Sequence, residues 1–109
     1  MSDNLLKSIH FLQLVGASNT PRAQKIALIK TLSKSQLNAI SELSMNLLNG
    51  NITITTEEAS KLRKFRAPLR LLASRRHNIA HRLEAVTLPL VVAVLQPALL
   101  FVTQQLEKC

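Results

Sequence analysis

From Lys61 to Arg82 the chain reads KLRKFRAPLRLLASRRHNIAHR, with eight Lys or Arg residues and no acid. The cations are Lys61, Arg63, Lys64, Arg66, Arg70, Arg75, Arg76 and Arg82. The chemistry open to such a run is neutralisation of a polyanion. Phosphate accepts point charges at tolerant spacing, and each contact releases counterions. From Lys61 to Arg76 no Asn or Gln interleaves with the arginines. No helix-turn-helix spacing stands out, so the expected mode is non-specific phosphate contact rather than base reading. His77 and His81 are four apart, with Glu84 three further on. That spacing shares a helix face, but Asn78 stands where a His-Glu-x-x-His motif needs Glu. The arginines around the pair repel a cation, so no metal is expected, and His77 with His81 reads as a modest pH-sensitive addition to the charge. No Gly-rich phosphate loop, paired carboxylates or nucleophile–base arrangement is present, so neither a cofactor nor an enzymatic activity is expected.

The charge is local. The 109 residues carry a formal charge of +8, which equals the contribution of residues 61–82 alone. Localised charge points to a polyanionic partner such as nucleic acid or an anionic membrane, while a solvated helix face is the plainer alternative. Three Phe and no Trp or Tyr argue against stacking single-stranded bases on aromatics. At 47% hydrophobic the chain can bury a modest core, and its length suits one domain, residues 1–109. The lone Cys109 permits no internal disulfide and does not fit a prenylation box. Asp3, Lys7 and His10 interrupt the N-terminal apolar stretch, so no secretory signal is expected. The expected setting is a virion interior or the inside of a cell, nucleus or cytoplasm.

The elements that must position these cations read as helices. Ser2 or Asp3 caps a first helix with Leu5, Leu6, Ile9 and Leu12 on one stripe, ended by Gly16. Thr20–Pro21 is a cap and first-turn pair for a second helix running to about Leu32. It places Ala23, Ile26, Ala27 and Ile29 inward. Ser33 and Gln36 form a capping box for a third helix to Leu48, with Leu37, Ile40, Leu43, Leu47 and Leu48 apolar and Asn49-Gly50 as its stop. Ile52 to Thr55 reads as an extended connector. Thr55 and Glu58 form a second capping box, and Ala59, Leu62, Phe65 and Leu69 make the basic segment amphipathic. Pro68 is expected to kink or break it near Arg66, and a second basic piece continues to about Glu84. The expected fold is all-α: a small bundle of four or five short helices, with a basic helix pair and an apolar C-terminal helix.

That last helix raises its own question. Ala85 to Thr103 is free of charge over nineteen residues, close to a membrane-spanning length. Pro89, Gln96 and Pro97 favour instead a helix bent near Pro97 and packed on protein, with Leu88, Val91, Val92, Leu95, Leu99 and Val102 as its stripe. Membrane contact through Leu88 to Val102 stays open as an alternative.

Gln24 to Arg76 resembles short basic proteins encoded by Polinton-type elements and adintoviruses. The resemblance rests on the Lys-rich opening helix, Leu-Ser-x-x-Gln-Leu at Leu32 to Leu37, and Leu-Leu-Asn-Gly-Asn-Ile at Leu47 to Ile52. Leu-Arg-Lys at Leu62 to Lys64 and Leu-Arg-x-Leu-Ala-Ser at Leu69 to Ser74 complete it. It covers about half the chain and rests on the order and spacing of simple motifs. After Ser74 the family turns lysine-rich and then glycine-rich, whereas this chain continues His77-Asn78-Ile79-Ala80-His81 and its tail has no glycine. The resemblance implies a minor virion or core protein of a virus-like element, comparable to the small basic core proteins of adenoviruses, with capsid proteins among its partners. Two other readings of the residues stay open. One is a helical interaction or scaffold protein, such as a homo-oligomer, whose charge serves solubility or an acidic protein partner. The other is a membrane-active protein using the basic and apolar segments together.

Overall fold

The computed structural model describes residues 3–74 and 78–108. Among them the regular structure is entirely helical: α1 Asp3–Gly16, α2 Arg22–Lys30, α3 Lys34–Leu48, α4 Thr56–Arg63, α5 Arg66–Ala73, α6 Ile79–Ala85 and α7 Leu88–Lys108. The chain is thus the all-α bundle expected, and among the described residues the helices number seven because the basic segment takes part in three of them. Ser2, Arg75, Arg76, His77 and Cys109 lie outside the described residues.

Helix boundaries follow local chemistry. Ser33 Oγ accepts from the Gln36 amide and Gln36 Oε1 accepts from the Ser33 amide, closing the capping box of α3. Thr55 and Glu58 do the same for α4. Each box satisfies two helix N–H groups that would otherwise lack partners. At the far end of α3, Gly50 takes φ +74°. The Gly50 amide donates to the Leu47 carbonyl and the Asn51 amide to the Asn46 carbonyl. This is a Schellman turn, and Gly adopts its left-handed residue without steric cost. It drops Ile52 into the core, where 5% of its surface stays exposed.

α2 departs from expectation. Thr20 supplies no side-chain cap; Pro21 occupies the cap position instead, with its carbonyl accepting from the Lys25 amide. No residue of α2 is fully buried, and Ala23 and Ala27 are exposed. The helix ends at Lys30, where Thr31 Oγ1 donates to the Ala27 carbonyl. α2 therefore leans on the bundle rather than completing it.

The basic segment breaks at Lys64–Phe65. Pro68 is the third residue of α5 and has no amide to offer the Lys64 carbonyl, which favours a break here. The Phe65 carbonyl accepts instead from Leu69, starting α5 afresh. No single second basic piece runs to Glu84. α5 stops at Ala73, with Ser74 turning into an extended conformation, and α6 begins only after Asn78. Asn78 is a cap that the charge pattern hides: its side chain accepts from the His81 amide at 2.9 Å.

The core joins α1, α3, α5 and α7. Leu12, Val15, Leu37, Ile40, Leu43, Leu72, Leu90, Val91, Val94 and Leu95 are all essentially sealed from solvent. α3 is central, packed by α1, α5 and α7. α7 has 21 residues, about 31 Å at ~1.5 Å per residue, and the molecule's longest extent is 34 Å. It continues through Pro97, which is buried, and packs on α1, α3 and α4 and beside α2. Its buried face is not the stripe expected: Leu90, Ala93, Val94 and Ala98 join Val91 and Leu95 inside, while Leu88, Val92 and Leu99 are half-buried. Among the described residues no single helix is long and apolar enough to cross a membrane. α6 with Leu88–Leu99 would reach that length, but the two are bent by 88°.

Two outward leucines mark further departures. Leu6 of α1 is 43% exposed and Leu48 of α3 is 44% exposed. Where α1 meets α7, Gly16 serves close approach rather than a left-handed turn. A Cβ at this position would collide with Leu99 Cδ1 and come within 3.3 Å of Leu99 Cγ and 3.6 Å of Leu95 Cβ. Gly16→Val is therefore expected to lower stability by about 2 kcal/mol through overpacking. A urea melt of the variant, with the unfolding slope unchanged, checks this.

Candidate nucleic-acid interface

The boundaries of α4 and α5 decide where the cations point. Leu62 and Leu69 are buried, 7% and 3% exposed, and Phe65 between them is half-buried. These three side chains pin the two short helices to the core. Lys61, Arg63, Lys64, Arg66 and Arg70 are then left exposed. The long stems of Lys and Arg can lie along the surface while the charged ends stay in water.

The break at Lys64–Phe65 splits the exposed cations into two groups. Arg63 and Arg66 border a groove of about 390 Å³ floored by Leu47, Leu48, Ile54 and Leu62. Arg70 lies one turn beyond Arg66 on α5, so the two share a helix face. Lys61 and Lys64 instead border a smaller depression, about 250 Å³, against Val92 and Gln96 of α7. Lys61 Nζ lies 3.8 Å from a Glu57 carboxylate oxygen one turn earlier. Both side chains are at least half exposed, so solvent screens this pair and it holds the lysine only loosely. Arg63, Lys64, Arg66 and Arg70 form no ion pair among the described residues.

The basic run places Arg82 among the expected phosphate contacts, and the structure contradicts this. It is 6% exposed. Its Nη1 donates to Asn38 Oδ1 at 3.1 Å and to Ser41 Oγ at 3.1 Å, both on α3. Its Nε has no hydrogen-bond partner among the described residues. Asn78 starts α6 in a register that turns Arg82 inward, where it ties α6 to α3. Its guanidinium faces α3 rather than solvent. Arg75 and Arg76 lie in the stretch outside the described residues. His81 and Glu84 are exposed on α6, and the described residues hold no cluster of three or more His, Cys, Asp or Glu suited to a metal ion.

Compared with known proteins, the chain matches no family model, no curated protein and no solved structure.

Two further cations, outside the basic segment, join the picture. Arg22 and Lys25 of α2 border a depression of about 450 Å³ against Leu88, Pro89 and Val92 of α7. The sequence marks them only as outward residues of an amphipathic helix. Their nearness to α7 depends on packing across more than sixty positions, for which no local signal exists.

Proposed function

We propose that the protein is a non-enzymatic nucleic-acid-binding protein that grips phosphate without reading bases. The observation that supports this best is the exposed set Arg63, Lys64, Arg66 and Arg70, without an ion pair among the described residues, at two helices anchored by Leu62 and Leu69. Anchored cations lose less freedom on meeting a phosphate than those of a loose tail would. α4 and α5 have eight residues each and carry no Asn or Gln, so they offer charge without the bidentate amides that recognise adenine. The resemblance of Gln24 to Arg76 supports placing this activity inside the particle of a virus-like element, where a small basic protein offsets genome charge.

The test is an electrophoretic shift series on two unrelated duplexes at several salt concentrations. Changing Arg63, Lys64, Arg66 and Arg70 together to Gln is expected to weaken binding to both duplexes about equally. The slope of log affinity against log salt should become shallower by roughly 0.9 for each phosphate that is no longer neutralised. Tight binding that ignores salt, or no binding at low salt, overturns the reading.

A further inference from the structure

α7 is covered on one side by the core and open on the other. Along its open edge Leu88, Val92 and Gln96 recur every four residues, with Pro89 exposed beside them. Rows of this spacing form the ridge that a neighbouring helix packs against. The depression bordered by Arg22 and Lys25 and the one bordered by Lys61 and Lys64 meet at this ridge, since Pro89 and Val92 line both. Among the described residues no Asp or Glu lines either one. Arg22, Lys25 and Lys64 make no ion pair among the described residues, and Lys61 has only its loose pairing with Glu57. The result is an apolar ridge between two cationic banks, assembled from α2, α4 and α7.

We propose that this groove docks an acidic amphipathic helix of a partner protein. The partner lays a narrow apolar stripe along Leu88 and Val92, and carboxylates on both flanks of that stripe meet Arg22 and Lys25 on one side and Lys61 and Lys64 on the other. The apolar floor decides against a nucleic-acid strand here, because a phosphodiester gains nothing from Leu88 and Val92. Cations on both banks decide against a basic or neutral helix. Two depressions in line across a helix edge suit a rod about 10 Å wide better than a flat sheet of lipid headgroups. The site shares Lys64 with the proposed phosphate-binding set but includes none of Arg63, Arg66 and Arg70, so variants at Arg66 and Arg70 test the nucleic-acid reading apart from it.

The experiment uses the full chain and fluorescein-labelled 18-residue peptides read by fluorescence anisotropy. One peptide carries Leu at helical spacing with Glu on both flanks; a second carries Lys in place of Glu. The Glu peptide is expected to bind, with affinity falling as salt rises, and the Lys peptide is expected not to. Reversing either bank, by R22E with K25E or by K61E with K64E, should weaken the Glu peptide at least tenfold. Arg22, Lys61 and Lys64 are exposed and Lys25 is half-buried, and circular dichroism verifies that each variant keeps the fold. R66Q with R70Q should leave peptide affinity within about twofold while weakening duplex binding, so the two readings fail separately. Equal binding of both peptides, or bank reversals without effect, overturns the proposal. So does binding to phosphatidylglycerol vesicles that is lost on bank reversal while neither peptide binds.

Discussion

Ending the chain after Thr87 is expected to abolish cooperative folding. The truncation removes Leu90, Val91, Val94 and Leu95, each fully buried against α1, α3 and α4. Burying one Val or Leu contributes roughly 1.5–3 kcal/mol. A domain's entire margin is about 5–15 kcal/mol. Losing four such side chains consumes most of that margin, and it also opens Leu12, Val15, Leu37 and Ile40 to water. Residues 1–87 should keep some helix by circular dichroism but show no sigmoidal urea transition, and should bind a hydrophobic dye. A sharp transition in the shortened chain would mean that α7 is an appendage and that the bundle is complete without it. The experiment therefore separates a core helix from a detachable anchor more directly than hydropathy can.

Arg82→Ala is expected to destabilise the protein by about 3 kcal/mol while leaving duplex binding by the folded protein unchanged. The change removes the side chain tying α6 to α3 and leaves Asn38 Oδ1 and Ser41 Oγ without their donor. An unsatisfied buried polar group costs about 1–3 kcal/mol. Ser41 is 1% exposed, so water cannot readily replace the guanidinium there. The stem of Arg82 also fills core volume, and its removal leaves a cavity. Chemical denaturation gives the stability, and the salt-dependent shift assay at low temperature gives the binding. An exposed phosphate ligand would behave in the opposite way, with stability intact and the salt slope shallower. The contrast between Arg82→Ala and Arg66→Gln thus tests whether adjacency in a basic run says anything about role.

Features legible in the sequence are those decided within three or four residues. Ser33 with Gln36, Thr55 with Glu58, and Asn49-Gly50 each carry their own geometry, and the structure forms all three. Pro68 likewise marks the break before α5 by withholding an amide from the Lys64 carbonyl. Asn78 belongs to the same class and is readable in principle, but it sits among charges that dominate the pattern. The failures arise where distant packing decides. Arg82 looks like its basic neighbours, and only Asn38 and Ser41, more than forty positions away, bring it inside. The register of α7 is illegible for a different reason. Leu88 to Leu95 is apolar on nearly every side apart from the proline, so periodicity cannot choose between Leu88 with Val92 and Leu90 with Val94. In α2 the pattern points Ala23 and Ala27 inward, but small side chains bury too little area to hold a helix face down. Of the expected phosphate ligands, Lys61, Arg63, Lys64, Arg66 and Arg70 are on the surface, because Leu62 and Leu69 set that orientation from within the same helices.

α2 has nine residues and buries none of them fully, and it carries one bank of the α7 groove. A helix held by so little apolar area can swing out or unwind at a free-energy cost well below that of global unfolding. α4, by contrast, is clamped by Leu62 and a capping box. The groove accordingly has one fixed jaw and one yielding jaw, so its width can adjust to what it grips while the bundle beneath stays shut.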